Sequence, residues 1–278
     1  MSAVRFLGTD FQNPVLLAAG TAGFGREVAG VIELEALGGI VTKAVTPEAR
    51  RGHPAPRVAE FPGGMLNAVG LANPGLEAVA THELPWLSRL RGVRVLVNVA
   101  GATIEDYVRV LERLADAEGV TAFEINASCP NTSAGGLEFG STAEGLAELV
   151  RRIRPCTRKP LVIKLSPILP DLPAMARVAQ QEGADAVSLV NTIPGTLAGR
   201  LGNGFGGVSG PALLPIGVAA TRRVREQVDL PVIGVGGIRT AEDAREYLRA
   251  GASLVAIGTA ALADPRVANR IARELDRD

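Results

Sequence analysis

The 278-residue chain carries 29 basic and 29 acidic residues, with 47% apolar and 4% aromatic content. Zero net charge excludes electrostatic recruitment to nucleic acid or anionic lipid, and so few aromatics leave little to stack single-stranded bases on. The length suits one large domain, 1–278, with ample chain for a hydrophobic core.

The N-terminal residues lack a charged segment followed by an apolar one, and no apolar run approaches the roughly 20 residues of a membrane helix. Two cysteines, Cys129 and Cys156, are too few for an iron–sulfur cluster or a structural zinc, each of which takes about four ligands. A soluble protein in a reduced, cytoplasmic setting is expected. The two histidines, His53 and His82, fit no metal-ligand spacing, so no metal site is expected.

In chain order, a short hairpin is predicted over Val4–Phe6 and Phe11–Asn13. Strands are predicted at Val15–Ala18, Gly39–Thr42, Arg94–Val99, Ala122–Asn126, Leu161–Leu165, Ala186–Val190, Val232–Gly234 and Leu254–Ile257. Each is a near-continuous apolar run, the pattern of a parallel sheet buried on both faces. Between them lie amphipathic helices. Ile104, Tyr107, Val108, Leu111 and Leu114 form one apolar stripe, and Leu146, Leu149, Val150 and Ile153 another. The second follows Ser141-Thr-Ala-Glu144, a capping-box pattern; Thr240 with Asp243 offers a weaker start before Ala244–Ala250. Eight such units in this length predict an α/β fold, a (β/α)8 TIM barrel with a short N-terminal hairpin and long active-site loops. A doubly wound sheet is the alternative, but Gly20-Thr-Ala-Gly23-Phe-Gly25 is not its glycine fingerprint. The long connections 44–75 and 191–210 read as functional loops, and Gly202-Asn-Gly204-Phe-Gly206-Gly207 within the second as a mobile flap over the mouth.

Chemistry in such a barrel sits where the strands end. Lys43, Asn98, Asn126, Lys164 and Asn191-Thr192 stand at or near those ends, where unpaired polar groups are costly. Three of the 29 basic residues are lysines, and two of these, Lys43 and Lys164, lie in apolar runs. A compact ammonium suits a tight site facing ligand oxygens; the alternative for either lysine is pairing with a core carboxylate, of which Glu124 is the clearest. Lys159 reads as surface. Gly236-Gly237 and Gly258-Thr259 leave backbone N–H groups open to a phosphate. Cys129, in the loop after the fourth strand, reads as a nucleophile or a base if nearby positive charge lowers its ordinary thiol pKa of about 8.5. Cys156 reads as a bystander.

Together the motifs resemble the class 1 dihydroorotate dehydrogenases from Asn13 to Leu275. They include Asn13-Pro-Val-Leu-Leu-Ala-Ala-Gly20, Thr42-Lys43-Ala-Val-Thr46 and Gly64-Met-Leu-Asn67-Ala-Val-Gly-Leu71. Further motifs are Glu124-Ile-Asn126-Ala-Ser-Cys129-Pro-Asn131, Lys164-Leu-Ser-Pro167, Gly234-Val-Gly-Gly-Ile238 and Ile257-Gly-Thr259. The resemblance implies oxidation of dihydroorotate to orotate in pyrimidine biosynthesis, with Cys129 as the base, Lys43 beside it in catalysis, and hydride transfer to FMN. It implies FMN contacts from Gly20, Lys43, Ala44, Asn98, Asn126, Lys164, Val190, Gly210, Gly236, Gly237, Gly258 and Thr259. Substrate contacts are implied for Lys43, Asn67, Ala68, Val69, Gly70, Leu71, Asn126, Asn131, Asn191 and Thr192. The Gly64–Leu71 segment resembles the 1B type, a homodimer that works with a partner subunit carrying FAD and a [2Fe–2S] cluster. Ala19, where the family often has serine, and the short 191–210 segment depart from the pattern. A flavin-dependent dihydropyrimidine dehydrogenase-type barrel and a flavin-free phosphate-binding lyase or isomerase are the rival readings.

Overall fold

A two-residue turn at Leu7 (φ 49°) and Gly8 (φ 77°) joins β1 (Val4–Phe6) to β2 (Thr9–Phe11) and puts Phe6 opposite Thr9. Positive φ at both turn positions matches the twist of a tight hairpin. The second strand therefore precedes the predicted Phe11–Asn13. Asn13 serves the next connection instead: its Oδ1 accepts from Val15 and Gly38 N–H, and its Nδ2 donates to the Ala36 carbonyl. The structure, a computed structural model, describes residues 3–128, 130–131 and 137–277.

The strands continue as β3 (Val15–Leu17), β4 (Gly39–Val41), β5 (Val58–Phe61), β6 (Gly64–Asn67), β7 (Arg94–Val99) and β8 (Val120–Asn126). Then follow β9 (Pro130–Asn131), β10 (Leu137–Glu138), β11 (Leu161–Leu165), β12 (Ala186–Leu189), β13 (Ile193–Gly195), β14 (Gly206–Ser209), β15 (Val232–Val235) and β16 (Leu254–Ile257). β3, β4, β7, β8, β11, β12, β15 and β16 pair in parallel in that order and close into a barrel. All eight predicted barrel strands are present, three with the predicted bounds and five with one end moved by one or two residues.

The helices are α1 (Leu76–Ala78) and α2 (Leu84–Leu87), joined by a π-helical turn at Val79–Glu83, then α3 (Ile104–Leu114), α4 (Ala143–Ile153) and α5 (Leu172–Gln181). α6 (Leu214–Arg225), α7 (Ala241–Arg249), α8 (Thr259–Ala263) and α9 (Val267–Asp276) complete the set. Between β3 and β4 the described residues hold only a 3₁₀ turn, Leu34–Ala36, where a helix would complete the eighth unit. α3 and α7 begin with full capping boxes, Thr103 with Asp106 and Thr240 with Asp243, so the second start is stronger than its sequence suggested. At α4 the cap is Thr142, whose Oγ1 accepts from Gly145 N–H; Ser141 donates to the Glu138 carbonyl instead. That moves the predicted cap by one residue.

The barrel interior and the barrel–helix layer are separate cores. Val97, Phe123, Ile163 and Val255 face outward onto helices, whereas Leu16, Val41, Leu96, Val162 and Leu254 face inward with Phe6 and Phe11. Phe6 and Phe11 meet edge to face, with ring centroids 5.8 Å apart. Arg94, the first residue of β7, donates to the Asp10 carbonyl, so the hairpin closes the N-terminal end of the barrel.

The long loops are partly sheet. β13, β14, β6 and β5 form a four-stranded antiparallel sheet from both segments, 44–75 and 191–210. Further bonds tie the two, from Gly202 N–H to the Pro56 carbonyl and from Arg200 to the Glu60 carbonyl. The expected flap is thus tied down, at Gly206-Gly207 by the sheet and at Gly202 by its bond to Pro56. Short strands rich in glycine and proline carry no alternating apolar pattern, which is why the sequence reads as loop.

Candidate active site at the barrel mouth

Inward residues alternate along each strand, so positions two apart share the interior. Moving one such step toward the C-terminal ends, Val41 gives way to Lys43, Leu96 to Asn98, Ala122 to Glu124, Val162 to Lys164 and Ala186 to Ser188. The interior changes from hydrocarbon to amide, ammonium and carboxylate within one layer. Above this layer opens a cleft of about 1070 Å³, walled by the barrel mouth and the four-stranded sheet.

The cleft is lined by Gly20, Lys43, Ala44, Asn67, Ala68, Val69, Gly70, Leu71, Asn98, Asn126, Lys164, Val190, Asn191, Thr192, Gly210, Gly236, Gly237, Gly258 and Thr259. The fold thus brings together every candidate apart from Cys129 and Asn131. Cys129 lies outside the described residues, and of Asn131 only its backbone pairing with Leu137 is described.

The two lysines differ. Lys164 is 8% exposed, and its Nζ lies 3.7 Å from Glu124 Oε1, an ion pair in the cleft floor. The core-carboxylate reading of Lys164 therefore holds alongside its place in the cleft. Lys43 is half-buried and has no ion pair among the described residues. Lys159, expected at the surface, is half-buried, with its ammonium on the Val120 carbonyl.

Hydrogen bonds fix the amides. Asn98 Nδ2 donates to Glu124 Oε1 at 2.7 Å, and Asn191 Nδ2 to Asn126 Oδ1 at 3.3 Å. Asn67, at the end of β6, donates to the Gly207 carbonyl. Tyr107 on α3 donates to the Asn126 carbonyl at 2.8 Å, steadying the end of β8 from outside the barrel.

At the opposite rim, Gly237 (φ 75°) is fixed by packing, since a Cβ there would lie 2.5 Å from the Leu214 nitrogen. The Tyr247 hydroxyl bonds the Val235 and Gly236 carbonyls at 2.9 and 2.8 Å. Burial, with the Asp243 charge adding to it, pushes that phenol well above its usual range. Gly20 (φ 78°) is different: a Cβ there would meet no atom within 4 Å. The backbone at Gly20 and Gly258 therefore stands open to a ligand. This cradle, with an ammonium and amides on the floor, fits a large planar anion-bearing cofactor.

Sequence reasoning passed over Glu124 as a site residue, and also Arg239 and His53, which line the cleft. Their signals were local: Arg239 follows Gly236-Gly237-Ile238, and His53 follows Gly52 at the start of the long connection. The Cys156 thiol is pushed up chiefly by burial, with Glu112 adding and Arg152 and Arg154 opposing, which suits a bystander. Among the described residues no cluster of metal-ligating side chains occurs, and no helix is long and apolar enough to cross a membrane.

Comparison with known proteins agrees with this geometry. The dihydroorotate dehydrogenase family model matches residues 1–278. The "dihydroorotate dehydrogenase B (NAD(+)), catalytic subunit" of Geobacillus kaustophilus is 47% identical over 279 residues, covering 98% of this chain and 89% of that protein. The like-named subunit of Desulforudis audaxviator is 46% identical over 282 residues, covering 99% and 92%. Among solved structures, an Eimeria tenella dihydroorotate dehydrogenase in complex with ferulenol superposes with a TM-score of 0.85 at 24% identity, over 98% of this chain and 83% of that one, a likeness of fold. The chain belongs to the dihydroorotate dehydrogenase family.

Proposed function

We propose that this chain, as one FMN-binding domain over 1–278, oxidises dihydroorotate to orotate at the barrel mouth. The observation that carries the reading is the convergence of Lys43, Asn67, Asn98, Asn126, Lys164 and Asn191 on one cleft with open backbone at Gly20 and Gly258. FMN, when bound there, supplies a two-electron acceptor for the substrate hydride. Gly236, Gly237, Gly258 and Thr259 would hold its phosphate, and Gly20, Lys43, Ala44, Asn98, Asn126, Lys164, Val190 and Gly210 its ring system and chain.

Asn67, Asn126, Asn131, Asn191 and Thr192 would hydrogen-bond the substrate ring and carboxylate, with Lys43 and the Ala68–Leu71 backbone completing the pocket. Such a site rejects analogues lacking these groups because its own amides would go unpaired. Cys129, as thiolate, takes the proton from the carbon next to the ring carbonyl while the hydride leaves the adjoining carbon. The sheet of β5, β6, β13 and β14 covers the cleft and limits water.

The relatives are named as catalytic subunits of an NAD(+) enzyme, which supports a partner subunit that takes the electrons onward; the proposal is a cytoplasmic homodimer whose partner carries FAD and a [2Fe–2S] cluster. The test is anaerobic titration of the purified yellow protein. Dihydroorotate is expected to bleach the flavin band and dihydrouracil to leave it; the reverse preference would favour the dihydropyrimidine reading, and a colourless protein the flavin-free one.

A further inference from the structure

Glu124 is the only buried carboxylate, and Lys164 the only buried cation, among the described residues. An apolar pair of like volume would serve stability as well, because desolvating two charges offsets most of their attraction. Stability therefore gives no reason for the pair.

The geometry separates two tasks for the one oxygen. Asn98 stands opposite Glu124 in the β7–β8 register, and its Nδ2 makes a short bond to Oε1 at 2.7 Å. That bond turns the amide nitrogen toward the carboxylate and leaves Oδ1 for the cleft that Asn98 lines. Lys164 stands on the neighbouring strand opposite Asn126, and its Nζ lies 3.7 Å from the same Oε1, beyond hydrogen-bond reach. Glu124 thus opposes the charge of Lys164 without consuming its donors, which stay available to the cleft.

We propose that Glu124 is a positioning residue that orients Asn98 and moderates the Lys164 charge, and so sets both the affinity and the reduction potential of the flavin site. The inference rests on the FMN reading above. An unopposed cation beside the ring favours the electron-rich reduced form, and a carboxylate behind that cation weakens the preference.

Spectroelectrochemical titration of the holoenzyme tests this with Glu124→Gln, which keeps the volume and an acceptor for Asn98 but removes the charge. The expected result is a shift of about tenfold toward the reduced form, about 30 mV more positive for a two-electron couple. An unchanged or more negative potential in a flavin-loaded variant overturns the role of Glu124 alone. A wild-type chain that takes up no flavin overturns the FMN reading and this inference with it.

Should Glu124→Gln fail to fold, Glu124→Asp decides, since it keeps the charge but withdraws the oxygen from Asn98. Flavin binding weakened about tenfold, the scale of one lost hydrogen bond, with a near-wild-type potential supports the proposal. Wild-type affinity overturns it.

Discussion

The lower and upper halves of the barrel interior are built on the same strands and do opposite work. Below, Leu16, Val41, Leu96, Val162 and Leu254 pack on the Phe6–Phe11 plug with no polar side chain among them. One inward step above, Lys43, Asn98 and Lys164 face a cleft, with Glu124 buried behind Asn98 and Lys164 in a layer that is expensive to bury. The difference teaches that a barrel can separate stability from chemistry along a single strand, by changing residue type at every second position.

Substitutions that keep to one half give the sharpest tests. Cys129→Ser, aimed at the proposed base, is expected to retain FMN and the wild-type unfolding midpoint while slowing flavin reduction by dihydroorotate about 10²–10⁴-fold in stopped flow. An unaltered rate would remove Cys129 as the base. Leu96→Ala, in the lower half, should cost about 2–5 kcal/mol in denaturant unfolding, with unchanged FMN affinity in the folded protein. Weakened affinity there would show that the halves are coupled.

Tyr247→Phe probes the glycine rim of the upper half. It should cost about 1 kcal/mol, because the Val235 and Gly236 carbonyls lose a donor. The phenol pKa is raised in the folded state chiefly by burial, so its contribution is fully present below the ordinary value of about 10 and is lost as pH rises beyond it. Wild-type stability should therefore fall above about pH 10 more steeply than that of Tyr247→Phe; parallel curves would contradict the assignment.

The apolar half was the more legible one in sequence. Runs such as Leu161–Leu165 are buried on both faces and announce parallel strands, and the helix Ile104–Leu114 announces itself by a periodic apolar stripe. The lysines at 43 and 164 also stood out, as rare residues in apolar runs. What stayed hidden depends on register between distant segments. That Glu124 meets both Asn98 and Lys164 follows from the β7–β8–β11 pairing, which no single strand encodes. The mouth sheet was hidden for the same reason, because β6 gains its partner β14 from about 140 residues away. The hairpin moved because Leu7 adopts a positive φ that its side chain disfavours, which no propensity scale suggests.

The most direct measurement of the central claim, that Cys129 as thiolate takes the proton while dihydroorotate gives its hydride to the flavin, is the pH dependence of single-turnover flavin reduction in the wild-type enzyme. The account predicts a rate that rises between about pH 6 and 9 as the thiolate fraction grows, given an ordinary thiol pKa near 8.5. A flat profile across that range would contradict it.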